Sequence, residues 1–133
     1  MVVLNRNFFF YFYWSSILMQ QISEGYDHSF VLNKSEGKLW WAAIVHDTES
    51  GRKLEIYATE PALHFYTANS LDIKKEKGKE KTAYGRRSAL CVELQYFPNS
   101  PNQMDFPSTM LFANELWKGK SIFKFDLVRK KIN

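Results

Sequence analysis

Hydrophobic and polar residues alternate with a period of two in several short stretches of the chain. This is the pattern of β-strands that bury one face, since successive side chains of a strand point to opposite sides. The stretches are 29–33, 39–46, 53–59, 63–67, 88–97 and 121–128. No stretch keeps the period of a helix. The pattern predicts an all-β, antiparallel chain of the kind that forms sandwiches or barrels.

Polar and glycine-containing segments separate these stretches. Residues 34–37 and 48–51 are predicted to be turns, and the second of them ends in Gly51, which can adopt a positive φ without steric cost. Pro61 interrupts the alternation between two strands. Residues 72–86 are charged and contain two glycines, which indicates an exposed loop.

The stretch 88–102 is the most informative part of the chain. Its first ten residues are predicted to form a strand, and Pro98 and Pro101 end it because proline lacks the N–H of a strand ladder. One face carries only apolar or aromatic side chains: Leu90, Val92, Leu94 and Tyr96. The other face carries Cys91, Glu93 and Gln95. The strand pattern alone favours a solvated Glu93 over a catalytic one, since charged side chains usually lie exposed.

Composition narrows the alternatives. A chain of 133 residues allows one domain at most, and its aromatic share of 17% favours strands. The single cysteine excludes an internal disulfide and suits a reducing compartment. The net charge is +4, and the basic residues cluster in two segments. Residues 74–81 are predicted to be a loop in which acidic residues are interspersed, and residues 129–131 are predicted to be a tail. This distribution indicates a solvated surface rather than a nucleic-acid interface.

Several kinds of site have no sequence signature here. The chain has no Cys/His cluster with zinc spacing, no glycine-rich phosphate loop and no Gly-x-Ser-x-Gly elbow of serine hydrolases. Its three histidines, His28, His46 and His64, are far apart in sequence. Metal, nucleotide and serine-hydrolase chemistry therefore have no anchor in the sequence.

Three sequence blocks together resemble the galactose mutarotase (aldose 1-epimerase) family. Residues 25–30 read Gly-Tyr-Asp-His-Ser-Phe, and residues 54–69 contain Thr-Glu-Pro followed by Phe-Tyr-Thr-Ala-Asn. Residues 90–102 read Leu-Cys-Val-Glu-Leu-Gln-Tyr-Phe-Pro-Asn-Ser-Pro-Asn, with Phe106-Pro107 after them. The resemblance covers about residues 21–128, the last third or so of a family member. It implies the C-terminal part of a large mutarotase-like β-sandwich (a supersandwich).

The resemblance also implies functional residues. Glu93 stands where the family has its general base, which takes the proton of the anomeric hydroxyl, and Asp27 stands where an aspartate binds sugar hydroxyls. The family interconverts the α and β anomers of hexoses such as galactose or glucose. A histidine acts as general acid on the ring oxygen. Carboxylate and imidazole groups suit these proton transfers near neutral pH, without a cofactor or metal.

The chain departs from the family pattern in several places. The Asn-His block that holds the general acid is missing, and His28 is expected to be structural or to support a site residue rather than to be that acid. His64 stands where the family usually has glutamine, Ala68 where it has glycine, and Asn99 where it has aspartate. A truncated protein, weakly active or inactive alone, is therefore expected. The alternatives are a non-catalytic carbohydrate-binding remnant and an unproductive gene fragment.

The N-terminal residues match no part of the family pattern. Residues 8–14 are an unbroken aromatic run, too short to cross a bilayer. We therefore expect 1–20 to be a leader outside the family fold and 21–133 to be the family portion. An interrupted or wrongly started reading frame is favoured over a secretion signal, and an interfacial anchor comes third. The expected location is the cytoplasm. The expected partner is a monosaccharide, with no nucleic acid or membrane, and exposed sheet edges favour self-association.

Overall fold

The computed structural model describes residues 2–5, 8–10, 25–32, 38–74 and 78–128. They form eight strands: β1 (Val2–Asn5), β2 (Phe8–Phe10), β3 (Asp27–Val31), β4 (Trp40–Asp47), β5 (Arg52–Ala58), β6 (Ala62–Tyr66), β7 (Cys91–Gln95) and β8 (Ser121–Leu127). Single 3-10 turns lie at Lys79–Lys81 and Ser100–Asn102. The described residues contain no α-helix, and the all-β, antiparallel prediction is confirmed.

The strands form two antiparallel sheets. The larger sheet has the order β1-β2-β4-β5-β8, and the smaller has the order β3-β6-β7. Strand β2 pairs with β4 from Phe8 opposite Asp47 to Phe10 opposite Val45. The predicted boundary between a leader and the family portion near residue 20 stays a prediction. The predicted turn at 34–37 lies outside the described residues.

The two sheets bury their apolar faces in one hydrophobic cluster. Its fully or almost fully buried members are Tyr26, Ala42, Ala43, Val45, Ile56, Ala58, Leu63 and Phe65. The partly buried side chains packed against it are Phe30, Leu32, Leu54, Leu90, Val92 and Leu94. The alternation predicted for Leu54, Ile56 and Ala58 is therefore confirmed. The extent of a larger sandwich stays a prediction.

The turn between β4 and β5 shows why glycine follows three polar residues. The N–H of Gly51 donates to the carbonyl of Asp47 at 2.8 Å, and Gly51 has a φ of 74°. A Cβ at this position would lie 2.5 Å from the carbonyl oxygen of Val128. The Asp47 carboxylate accepts hydrogen bonds from Ser50 and from the N–H of Glu49, and the Ser50 bond is the main cause that lowers its pKa.

Strand β7 is shorter than the sequence pattern predicted. The prediction covered residues 88–97, whereas the strand is Cys91–Gln95. Its partner β6 has only five residues, and all five pair with β7. Since a strand needs a partner for its backbone groups, β7 ends where β6 ends. The described residues of the charged segment 72–86 are largely exposed, as predicted, and a bridge pairs Ile73 with Tyr84.

Strand β8 leaves apolar side chains uncovered. It pairs with β5 along one edge, and no other described strand pairs with it. Phe123 lies opposite the buried Ile56, so the apolar face of β8 continues the core face of the sheet. Phe125 is nevertheless 79% exposed, and Leu127 is exposed as well. Among the described residues, no helix is long and apolar enough to cross a membrane.

Charged side chains line the opposite face of β5 and β8. The ammonium of Lys53 lies 2.9 Å from a carboxylate oxygen of Glu55 and 3.2 Å from one of Asp126. Lys124 contacts the other oxygen of Glu55 at 3.5 Å, and Tyr57 donates to that oxygen at 3.1 Å. The hydrogen bond from Lys53 is the main cause that lowers the pKa of Glu55 below its ordinary value of 4.5.

We expect the purified chain to self-associate through the edge of β8. Exposed edges and apolar faces pair with other chains. Size-exclusion chromatography should show species larger than the 15.7 kDa monomer. Phe125→Lys should shift the profile toward the monomer, because a charge on the apolar face opposes pairing. Ser88→Lys adds the same charge in an exposed segment and should leave the profile unchanged. A monomeric wild-type chain would contradict this expectation.

Acid should weaken the fold through the charged face of β5 and β8. The pKa of Glu55 is lower in the folded chain, so its contribution to stability is present above about pH 4.5 and is lost as the pH falls through the lowered value. Glu55→Gln should therefore lower the melting temperature at pH 7, and this loss should shrink at pH 3. Circular dichroism measures both, and Glu80→Gln, an exposed loop change, is the control. An equal loss at both pH values would show that the charge does not matter.

Candidate functional site

One face of the small sheet is polar, and the opposite face is part of the core. The pairing places Ser29, His64 and Glu93 opposite one another on β3, β6 and β7. Asp27, Tyr66 and Cys91 form the neighbouring row. We call the surface formed by these six residues the polar face. The side chains at the alternate positions of these strands point to the other face of the sheet. They belong to the buried cluster or pack against it, as do Phe30, Leu63, Phe65, Val92 and Leu94.

The start of β3 is fixed by a backbone clamp that orients the strand carrying Asp27. The Thr67 hydroxyl accepts from the N–H of Tyr26 at 2.9 Å, and the amide of Asn69 donates to the Tyr26 carbonyl at 2.9 Å. Thr67 also donates to Asn69 at 2.7 Å. Gly25 has a φ of 152°, and a Cβ there would lie 2.0 Å from Asn69 Oδ1. The clamp therefore requires glycine before β3.

Asp27, the predicted sugar-binding residue, presents its carboxylate to solvent. Its side chain is 59% exposed, and its Oδ1 lies 2.9 Å from Nε2 of His64. Its own backbone N–H donates to Nδ1 of the neighbouring His28 at 3.0 Å. His28 occupies the opposite side of β3, with its ring 6.3 Å from that of Tyr26. His46 is on β4, in the other sheet, opposite Lys53.

Glu93, the predicted general base, lies in the middle of β7 and is exposed. It is directly opposite His64 on β6. Within the described part of the chain, no ion pair or hydrogen bond engages its carboxylate. Strands in a sheet are about 4.8 Å apart, so β3 and β7 are separated by roughly 10 Å across β6. Asp27 lies two residues along from the row that contains Glu93, and contact of one hexose with both carboxylates stays a prediction.

The loop after β7 is held by its own side chains. The Ser100 hydroxyl is buried and donates to the carbonyl of Phe97 at 2.6 Å. Asn99 adopts a left-handed φ of 64°, and its side-chain oxygen accepts from Asn102 at 2.6 Å. The rings of Phe97 and Phe106 lie 5.0 Å apart. These contacts fix the exit of the strand that carries Glu93.

His64 is a residue of this face that sequence reasoning did not assign to the site, and it contacts one that was assigned. Its Nδ1 lies 2.9 Å from the Ser29 hydroxyl and its Nε2 lies 2.9 Å from Asp27. It stands between the two predicted site residues. Alternation puts its side chain opposite to those of Leu63 and Phe65, but only the pairing register places it beside Asp27 and Glu93. Among the described residues, no group of three His, Cys, Asp or Glu could hold a metal ion.

Comparison with known proteins gives consistent matches. The family model for aldose 1-epimerase matches residues 3–124. Galactose mutarotase of Mus musculus is 42% identical over 103 residues, covering 77% of this chain and 30% of that protein. Galactose mutarotase of Homo sapiens is 41% identical, with the same coverage. Aldose 1-epimerase of Escherichia coli (strain K12) is 36% identical over 110 residues, covering 82% of this chain and 31% of that protein.

A solved structure has the same fold. The GalM/aldose epimerase homologue from C. elegans aligns with a TM-score of 0.70 and 24% identity, covering 84% of this chain and 34% of that one. The chain spans about 30% of the length of the curated relatives that it matches.

The clamp at the start of β3 can be tested by adding a methyl group to glycine. Gly25→Ala should lower the free energy of unfolding by roughly 1–3 kcal/mol, because the methyl group clashes with Asn69 and the φ disfavours alanine. Gly85→Ala is the matched control, since its Cβ would meet nothing within 4 Å. Urea unfolding followed by tryptophan fluorescence measures both. Equal stability of the two variants would show that the clamp does not constrain Gly25.

Proposed function

The chain belongs to the aldose 1-epimerase family, and from that premise we propose that it is a galactose mutarotase-like protein that binds a hexose on its polar face. The substrate class is an aldohexose such as galactose or glucose. The family membership and the names of the relatives support this proposal. The proposed location is the cytoplasm, where hexoses are metabolised.

In this proposal the two acidic residues have different roles. Glu93 is the general base, because its carboxylate has no partner among the described residues and can accept the proton of the anomeric hydroxyl. Asp27 accepts hydrogen bonds from sugar hydroxyls, because its carboxylate is exposed and anchored through only one oxygen. The observation that carries the proposal is that both residues belong to the same face of one sheet, on either side of β6.

The proposed reaction consists of proton transfers and one C–O bond that breaks and reforms. Glu93 takes the proton of the anomeric hydroxyl, the C1–O5 bond breaks, and an acid gives a proton to O5. The open-chain aldehyde rotates about C1–C2, and reversal of these steps closes the ring as the other anomer. No electrons are transferred between molecules, so the proposed reaction requires no redox cofactor.

The lack of a matching general acid limits the activity expected of this chain alone. No histidine here matches the family block that supplies the acid, and loss of such a group typically lowers the rate by about 10²–10⁴-fold. We therefore propose that the chain alone is weakly active or inactive. A non-catalytic carbohydrate-binding remnant is the alternative, and it should bind galactose without accelerating mutarotation. An unproductive gene fragment should do neither.

Polarimetry of freshly dissolved α-D-galactose tests the proposal. The chain alone should barely accelerate the change in optical rotation. Adding the N-terminal two thirds of mouse galactose mutarotase should restore activity by supplying the acid. Glu93→Gln should then lower the restored rate by about 10²–10⁴-fold, because an amide cannot accept the proton. Glu80→Gln removes a carboxylate from an exposed loop and is the control.

Two outcomes would contradict parts of the proposal, the first the assignment of Glu93 and the second the missing acid. An active mixture that is unaffected by Glu93→Gln would mean that another group is the base. Strong Glu93-dependent catalysis by the chain alone would mean that one of its own histidines supplies the acid. Galactose binding without any acceleration, in either preparation, would favour the carbohydrate-binding alternative.

A further inference from the structure

We propose that His64 is a positioning residue that holds Asp27 in place for a sugar hydroxyl, through a chain of hydrogen bonds from Ser29 to His64 to Asp27. This inference rests on the proposed function, because it concerns the sugar-binding role of Asp27. It concerns how that carboxylate is held and assigns no proton transfer to His64.

The geometry places both ring nitrogens of His64 in hydrogen bonds on one face. Nδ1 lies 2.9 Å from the Ser29 hydroxyl and Nε2 lies 2.9 Å from Oδ1 of Asp27. The His64 side chain is 19% exposed, whereas that of Asp27 is 59% exposed. A largely buried imidazole therefore anchors an exposed carboxylate.

The chemistry of the three groups determines which atom donates and which accepts in each hydrogen bond. An ionised carboxylate can only accept hydrogen bonds, so Nε2 of His64 must carry the proton shared with Asp27. In the neutral ring Nδ1 is then an acceptor, and the Ser29 hydroxyl must donate to it. Asp27, which can only accept, therefore fixes the tautomer with the proton on Nε2, and the Ser29 hydroxyl, which can donate or accept, completes the chain of hydrogen bonds by donating to Nδ1.

This arrangement prepares Asp27 for a ligand. The contact with His64 uses Oδ1, and no described residue hydrogen-bonds to Oδ2, which can accept from a sugar hydroxyl. A group that is already oriented loses less conformational freedom on binding, so affinity increases. His64 is paired with Glu93 and its ring reaches Asp27 diagonally across β3 and β6, so a sugar that contacts both acidic residues lies beside the imidazole.

Two substitutions separate the contacts of His64. Glutamine can present its amide nitrogen near the place of Nε2, so His64→Gln keeps a donor for Asp27. Asparagine is shorter and presents its amide near the place of Nδ1, so His64→Asn keeps a contact with Ser29 and loses Asp27. Ser29→Ala removes only the hydroxyl that contacts Nδ1. If His64 only filled space, the galactose affinities of His64→Gln and His64→Asn would not differ in this way.

The test is a titration of the full ¹⁵N-labelled chain with D-galactose, followed by NMR. His64→Asn should bind roughly tenfold more weakly than the wild type, the loss expected for one hydrogen bond to a charged group. His64→Gln should stay within about threefold of the wild type. In Ser29→Ala, the Nδ1 ¹⁵N shift of His64 should move because that nitrogen loses its donor, and galactose should bind more weakly because the ring is held by one contact fewer. Galactitol, which has no ring, is the ligand control.

The outcomes separate this inference from the proposed function. A wild-type chain that binds no galactose would overturn the proposed function. Wild-type binding that His64→Asn leaves unchanged would overturn the positioning role alone. If His64→Asn does not fold, as judged by its amide spectrum, the Ser29→Ala variant decides. An unchanged Nδ1 shift of His64 and an unchanged galactose affinity in Ser29→Ala would then overturn the inference.

Discussion

The antiparallel register of β3, β6 and β7 is the constraint on which the rest of the structure depends. With this register, Leu63, Phe65 and Val92 face the core, while Asp27, His64 and Glu93 share the opposite face. A slip of one residue in any of these strands would turn its polar side chains inward. Since burial of an unpaired charge is costly, the core and the site enforce the same register.

Residues of the recognisable sequence blocks contribute to this register without doing chemistry. Gly25, Thr67 and Asn69 hold the backbone at Tyr26, where β3 begins beside the end of β6. The hydrogen bonds of Ser100 and Asn99 similarly hold the loop after β7. A sequence motif can therefore include, besides its acidic residue, neighbouring residues that have no chemical role of their own. The neighbours fix the backbone, and the backbone then directs the carboxylate.

The larger sheet shows how the same alternation has a different result at an edge. In β5 the apolar side chains are covered by the second sheet, whereas in β8 the side chains of Phe125 and Leu127 on the same face are exposed. On the other face, Lys53, Glu55 and Lys124 link the two strands through ion pairs. The ion pairs on the charged face therefore link β8 to β5. The apolar face of β8 is not covered by any of the described residues.

The sequence by itself determined the elements that depend on local chemistry. Alternation predicted β5, β6 and β8 within one or two residues, and the polar turn before Gly51 followed from the need for a positive φ. The resemblance of three blocks indicated the family, and it proposed Glu93 and Asp27 as site residues. These inferences needed only neighbours along the chain or a comparison of motifs.

Tertiary structure alone decided which strands are neighbours and therefore which side chains meet. Alternation gives each strand two faces but does not say which partner or register it takes, because pairing joins residues far apart in sequence. The five-residue length of β7 follows from its partner β6 rather than from its own pattern. The contacts of His64 likewise depend on strand pairing. It lies 35 residues from Ser29 and 37 from Asp27 in sequence, and only the pairing of β3 with β6 brings its ring nitrogens to both.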